Sequence, residues 1–127
     1  MIYDLIIIGG GPAGITAGIY AGRQRMKTLL IAKGFGGQMT KKATEVCNYP
    51  GFARISGFDL MEKFVKQLKD QECVEIKTAE VLKVDKAVPT GRQERDDFVV
   101  ITTEENKFLG RSVIVATGAD PRPLEAK

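Results

Sequence analysis

The stretch Leu5-Ile6-Ile7-Ile8-Gly9-Gly10-Gly11-Pro12-Ala13-Gly14 decides the fold. Its apolar half closes a run that begins at Ile2. The run is short, β-branched and ended by glycines, which predicts a strand over 2–8 buried on both faces, as in a parallel sheet. Its second half holds G-x-G-x-x-G at Gly9, Gly11 and Gly14. In that pattern the first glycine permits a tight turn and the second lets a pyrophosphate approach the backbone. The third lets the following helix pack closely. Pro12 and Ala13 open that helix, predicted over 12–25, and Pro12 suits its first turn because an N–H there would have no partner to lose. The free N–H groups and positive dipole end of the helix then face the glycine turn. Lys27 to Ala32 reads as a second short apolar strand. Strand, helix, strand makes one βαβ unit, the context in which the glycine pattern signals dinucleotide binding.

Two details qualify that unit. Gly14, Gly18 and Gly22 recur every four residues, as do Ala13, Ala17 and Ala21. Each interior Gly costs ~1 kcal/mol relative to Ala, so close packing must hold this helix, and a small face set against its sheet suffices. The second detail is a missing acid. An Asp or Glu about 20 residues beyond the glycines usually holds the ribose hydroxyls, but the second strand ends Ile31-Ala32-Lys33. Lys33 could pair with a 2′-phosphate instead, which favours NADP. The residues alone leave FAD and NADP both open.

Beyond Lys33 lies a Gly-rich loop at Gly34, Gly36 and Gly37. The stretch from Gln38 to Phe52 has no clear period and ends in a turn signal, Tyr49-Pro50-Gly51-Phe52. A second helix is marked by Ser56 and Asp59 in a capping pattern, with Met61, Phe64, Val65 and Leu68 on one face. Val74 to Lys77 reads as a strand. Val81 to Val84, Phe98 to Thr102 and Lys107 to Leu109 read as three antiparallel strands, with turns over 89–97 and 104–106. Ser112 to Ala116 is a further parallel-type strand, closed by Thr117-Gly118. The fold class is therefore α/β: a three-layer, Rossmann-like domain with a parallel sheet and an antiparallel three-stranded meander over one face.

Composition narrows the chemistry. The 127 residues fit one domain. The absence of His excludes a Ser-His-Asp mechanism, a His zinc site and a His general base. We assign no catalytic side chain and no metal site. A net charge of +3, with basic residues spread among acids, gives no stripe for nucleic acid. No apolar run approaches the ~18 residues of a membrane span, and Asp4 stands where a signal peptide needs basic or apolar residues. Cys47 and Cys73 form neither a CxxC motif nor a disulfide framework, so a reduced, cytoplasmic protein is expected.

Several stretches together resemble the N-terminal FAD-binding segment of low-molecular-weight thioredoxin reductases and their relatives. They are 4–14 with its helix, Gly36-Gly37-Gln38-Met39-Thr40, then Thr44 to Phe52 with Asn48-Tyr49-Pro50-Gly51, and Val113 to Ala119. Their order and spacing cover nearly the whole chain. The resemblance implies FAD as cofactor, with Gln38 and Asn48 against the flavin, chemistry that amides suit because they both donate and accept. It also implies a main-chain contact to adenine near Val81, and Ala116, Thr117 and Gly118 along the cofactor. The family often lacks the acid after the second strand, which fits Ala32-Lys33. The parent enzyme would pass hydride from NADPH to FAD and electrons onward to a disulfide or another acceptor.

The departures are informative. The family usually has an acid before the Asn of its NYPG segment, whereas this chain has Cys47, expected to be a small buried apolar residue. Gln38 to Lys42 holds no redox Cys pair, which excludes the high-molecular-weight branch. Family members continue into an NADPH domain with a redox CxxC and then a returning FAD segment. Residues 1–127 are therefore expected to be the first segment only of an FAD-binding domain. The strand that would return leaves a sheet edge open, so a homo-oligomer or association through that edge is expected.

Overall fold

The computed structural model describes residues 1–42, 44–87 and 97–120. The apolar run over 2–8 does not form one strand. It divides at Asp4 into β1 (Ile2–Tyr3) and β2 (Leu5–Ile8), which join different sheets. Asp4 accounts for the break. Its N–H donates to the Lys27 carbonyl at 2.8 Å, and its carboxylate accepts from the Lys27 N–H at 2.9 Å and lies 3.7 Å from the Arg111 guanidinium. A residue held this way cannot continue either ladder, and the chain steps from one sheet into the other.

The elements that follow are α1 (Pro12–Arg23), β3 (Thr28–Ala32), α2 (Gly37–Lys41), α3 (Gly57–Lys69), β4 (Val74–Thr78), β5 (Val81–Lys86), β6 (Phe98–Thr102), β7 (Lys107–Gly110) and β8 (Val113–Val115). The first helix stops short of the expected Arg25, which takes a left-handed conformation with φ 56. The Arg25 and Met26 amides turn back to the Gly22 and Ala21 carbonyls and satisfy the helix end. Helix α2 lies in the stretch read as aperiodic. Five residues are too few to show a helical period, and the helix starts from Gly36, whose φ of 94 suits glycine.

The parallel sheet has the order β4-β3-β2-β8. Every residue of β2 and β3 is buried because both faces are covered. Leu5, Ile7 and Leu30 pack against Ile15 and Ile19 of α1 and Leu68 of α3. Ile6, Ile8, Leu29 and Ile31 point the other way, toward Tyr3 and Val100 of the second sheet. That sheet has the order β1-β7-β6-β5. Strands β5, β6 and β7 are the expected antiparallel meander, and β1 adds to it as a parallel fourth strand beside β7. The turn at 104–106 is present, with Glu105 at φ 63 and its N–H donating to the Thr102 carbonyl. Most of the turn expected over 89–97 lies outside the described residues, as do residues 121–127.

Helix α3 is capped as its sequence indicates: the Ser56 hydroxyl accepts from the Asp59 N–H at 3.0 Å. Its buried face carries Leu60, Met61 and Leu68. The small face of α1 meets this helix as well as the sheet. A Cβ on Gly18 would stand 2.6 Å from Leu68 Cδ1, ahead of Leu30 and Ile7 at 3.5 and 3.8 Å.

Candidate functional site

In the parallel sheet the chain leaves β2, forms β3 and β4 on one side, and returns with β8 on the other. The strand order reverses at β2, and open α/β sheets bind ligands at such a point, beyond the carboxyl ends of the strands. A cavity of about 610 Å³ lies there, within the size range of small-molecule sites. Its floor is the end of three strands. The Gly9 N–H donates to the Ile31 carbonyl at 2.9 Å and the Ala116 N–H to the Ile8 carbonyl at 2.8 Å.

The glycines divide the work as their spacing implies. Gly9 has φ 122, and a Cβ there would overlap the Ala116 carbonyl, so β8 and the turn meet backbone to backbone. A Cβ on Gly14 would overlap the Gly9 carbonyl, and Gly14 itself lies beneath the turn, outside the cavity lining. Gly11 differs from both: no atom lies within 4 Å of where its Cβ would be, and it lines the cavity. Gly11 is also the N-cap of α1. No side chain caps this end and no acid lies in the first turn, so the amides of the first turn, which have no intrahelical acceptors, open toward the cavity with the positive end of the helix dipole.

The other walls come from distant parts of the chain. Lys33 and Gly34 follow β3, and the Gly36 N–H ties their loop to the Gly10 carbonyl at 2.8 Å. Gly37 and Gln38 begin α2. The Gln38 amide donates to the Ala119 carbonyl at 3.2 Å and to the Asp120 carboxylate, so α2 is linked across the cavity to the segment after β8. Ala79 and Glu80, between β4 and β5, and Val81, which opens β5, complete the rim. The structure thus gathers Gly9, Gly11, Pro12, Ala13, Lys33, Gly37, Gln38, Val81, Ala116, Thr117 and Gly118 around one cavity. Asn48 stands exposed outside the lining, in a loop closed by the bridge between Val46 and Ile55.

Glu80 and Asp120 line the cavity too, and sequence reasoning missed them. Neither carries a local signal, because Glu80 reaches the site through the pairing of β4 with β3. Lys33 Nζ stands 3.5 Å from Glu80 Oε1, which offsets the positive charge that a 2′-phosphate would need. Cys47 is not the buried apolar residue expected. It is exposed, and its thiol donates to Glu45 Oε1 at 3.2 Å. That hydrogen bond, then desolvation and the carboxylate's charge, raise the thiol's pKa. An adjacent acid two residues back gives the thiol a polar partner that burial would have denied it. Among the described residues no group of His, Cys, Asp and Glu is placed to hold a metal ion, and no helix is long and apolar enough to cross a membrane.

The pyridine nucleotide-disulphide oxidoreductase family matches residues 3–127. The chain belongs to that family. Among its relatives, the thioredoxin reductase of Listeria monocytogenes is 42% identical over 126 residues, which are 98% of this chain and 36% of the relative. That of Dictyostelium discoideum is 42% identical over 133 residues, 97% of this chain and 39% of the relative. The crystal structure of Lactococcus lactis thioredoxin reductase in its FR conformation superposes with a TM-score of 0.84 at 41% identity, covering 97% of this chain and 38% of that one. The chain thus spans little more than a third of the length of the relatives it matches. It is the N-terminal part of a thioredoxin reductase-like protein, the part that carries the Rossmann-like FAD/NAD(P)-binding fold.

Proposed function

We propose that this chain binds FAD in the cavity at the carboxyl end of its parallel sheet, as part of a flavin-dependent oxidoreductase resembling thioredoxin reductase. The observation that carries the reading is the open space at Gly11, set in front of an uncapped helix N-terminus and inside a cavity of about 610 Å³. A pyrophosphate needs that combination: room beside the backbone, unused N–H donors and positive potential. Gly11, Ala13 and the start of α1 would hold the phosphates, with Gly9 and Gly14 shaping the turn and Pro12 fixing the first helical residue. Val81 and the end of β3 would border the adenosine. Gln38, Asn48 and the segment Ala116-Thr117-Gly118 would serve the flavin portion. Lys33, paired with Glu80, fits this reading better than an NADP site.

The chemistry such a group supplies is acceptance of a hydride from NADPH and delivery of electrons to a disulfide or another acceptor. The residues here bind and orient. Gln38 joins the two sides of the cavity, and the apolar ends of β2 and β3 at Ile8 and Ile31 keep its floor dry. The NADPH site, the redox pair and a returning FAD segment belong, in this proposal, to further sequence of the parent enzyme. The outer edge of β8 is unpaired among the described residues, with Ile114 and Val115 exposed on that strand; there the returning segment or, in its place, another copy of this chain would pair. Two free thiols fit a cytoplasmic setting. The test is direct. The purified chain, mixed with FAD and passed through gel filtration, should carry a flavin absorption band with it. A colourless protein at every FAD concentration would refute binding.

A further inference from the structure

The dinucleotide fingerprint calls for a carboxylate at the end of the second strand, and here that position is Ala32. The structure brings a carboxylate to the same place by another route. Strand β4 lies beside β3 with Thr78 opposite Ala32, and the Ala79 N–H donates to the Ala32 carbonyl at 3.0 Å. This fixes Glu80 at the carboxyl end of β3. Both Ala32 and Glu80 line the cavity, and the glycine turn lies against Ala32: a Cβ on Gly10 would come within 2.9 Å of its methyl group. Lys33 Nζ, 3.5 Å from Glu80 Oε1, steadies the carboxylate without burying it. One carboxylate oxygen faces the lysine, and the group keeps acceptor capacity for further donors.

We propose that Glu80 supplies the missing carboxylate and accepts a hydrogen bond from the 2′-hydroxyl of the adenosine ribose of the bound dinucleotide. The proposal rests on the nucleotide-site reading above and adds the residue that sets its preference for a free 2′-hydroxyl. Its role is specificity in binding. A carboxylate at this place welcomes a hydroxyl donor and repels a 2′-phosphate, so the site selects FAD-type adenosine over NADP-type adenosine.

The test is calorimetric titration of the chain with ADP and with 2′-deoxy-ADP. A hydrogen bond to an exposed charged acceptor should make ADP bind about tenfold tighter. Glu80→Ala should abolish that preference while leaving the affinity for 2′-deoxy-ADP unchanged, and this second affinity also reports that the variant is folded. Lys33→Ala should keep the preference. Equal binding of both nucleotides by the unaltered chain overturns the assignment. So does a preference that survives Glu80→Ala, or an equal loss of both affinities in that variant. Failure of the unaltered chain to bind ADP at all refutes the nucleotide-site reading itself and the assignment with it.

Discussion

Alanine at Gly11 and alanine at Gly14 should have opposite consequences. At Gly11 the backbone has φ −81, acceptable to any residue, and the new Cβ meets no atom within 4 Å. Replacing Gly by Ala at a compatible site stabilises by about 0.4–1 kcal/mol through the unfolded chain. Ala is a poorer N-cap than Gly by a comparable amount. The two offset, and the unliganded melting temperature should move by less than ~2 °C, taking about 4 °C per kcal/mol for a domain of this size. At Gly14 the Cβ would overlap the Gly9 carbonyl. That atom is backbone and cannot rotate aside, so the cost should reach the upper part of the ~1–3 kcal/mol range for overpacking, a fall of about 8–12 °C. The FAD-dependent rise should rank the two sites the other way, small at Gly11→Ala and near full at Gly14→Ala. At a hundredfold excess over its Kd, a ligand adds about 2.7 kcal/mol, or about 10 °C. If the Gly11 methyl weakens binding a hundredfold, only about 0.4 kcal/mol remains, ~2 °C. Differential scanning fluorimetry with and without FAD measures both quantities. A Gly11→Ala protein that melts normally and keeps the full FAD-dependent rise would refute the placement of the phosphates, and one that is badly destabilised without ligand would refute the geometry.

Three further outcomes follow from the packing and the ionisable groups. Burial, together with a 2.7 Å hydrogen bond to Glu75, raises the Tyr3 phenol from 10.0 to about 12. A folded-state pKa above the unfolded value means that this contribution to stability is complete below pH ~10 and is lost as pH rises toward 12. A tyrosinate absorbance titration should show one late phase near 12, absent in Tyr3→Phe, and that variant should lose about 1 kcal/mol at neutral pH. Glu45→Gln should speed alkylation of Cys47 at neutral pH by lowering its pKa, read by peptide mass; an unchanged rate would show that the carboxylate does not control this thiol. Leu68→Ala should cost about 2–5 kcal/mol in denaturant unfolding. Gly18→Ala should cost less in that background than in the unaltered chain, because its Cβ would press on Leu68 Cδ1.

What the sequence discloses here is mostly what is local. The βαβ unit was legible because Leu5 to Gly14 states its strand, turn and helix start in ten adjacent residues, each with its own physical signal. The Ser56 cap and the face through Leu68 were legible for the same reason. The break at Asp4 was not, since it depends on Lys27 and Arg111, which meet Asp4 only after the sheets form. Helix α2 escaped because a single turn has no periodicity to read. Cys47 was misplaced because small size argued for burial, while the decisive neighbour, Glu45, acts through a side-chain contact that hydropathy does not encode. Glu80 was invisible because its address is a register: it reaches the cavity only through Thr78 opposite Ala32.

The pairing of β2 with β8 has a consequence for how this protein is made. The Ser112 hydroxyl donates to the Asp4 carbonyl across a sequence separation of 108 residues, at the seam where those strands meet. A ribosome needs roughly 5–20 s to travel that far. Throughout that interval β2, wholly apolar, is exposed without one of its two neighbours, and the turn at Gly9 has no Ala116 to rest against. The wall of the cavity at Ala116, Thr117 and Gly118 is therefore made last, long after the glycine turn, the start of α1 and β3.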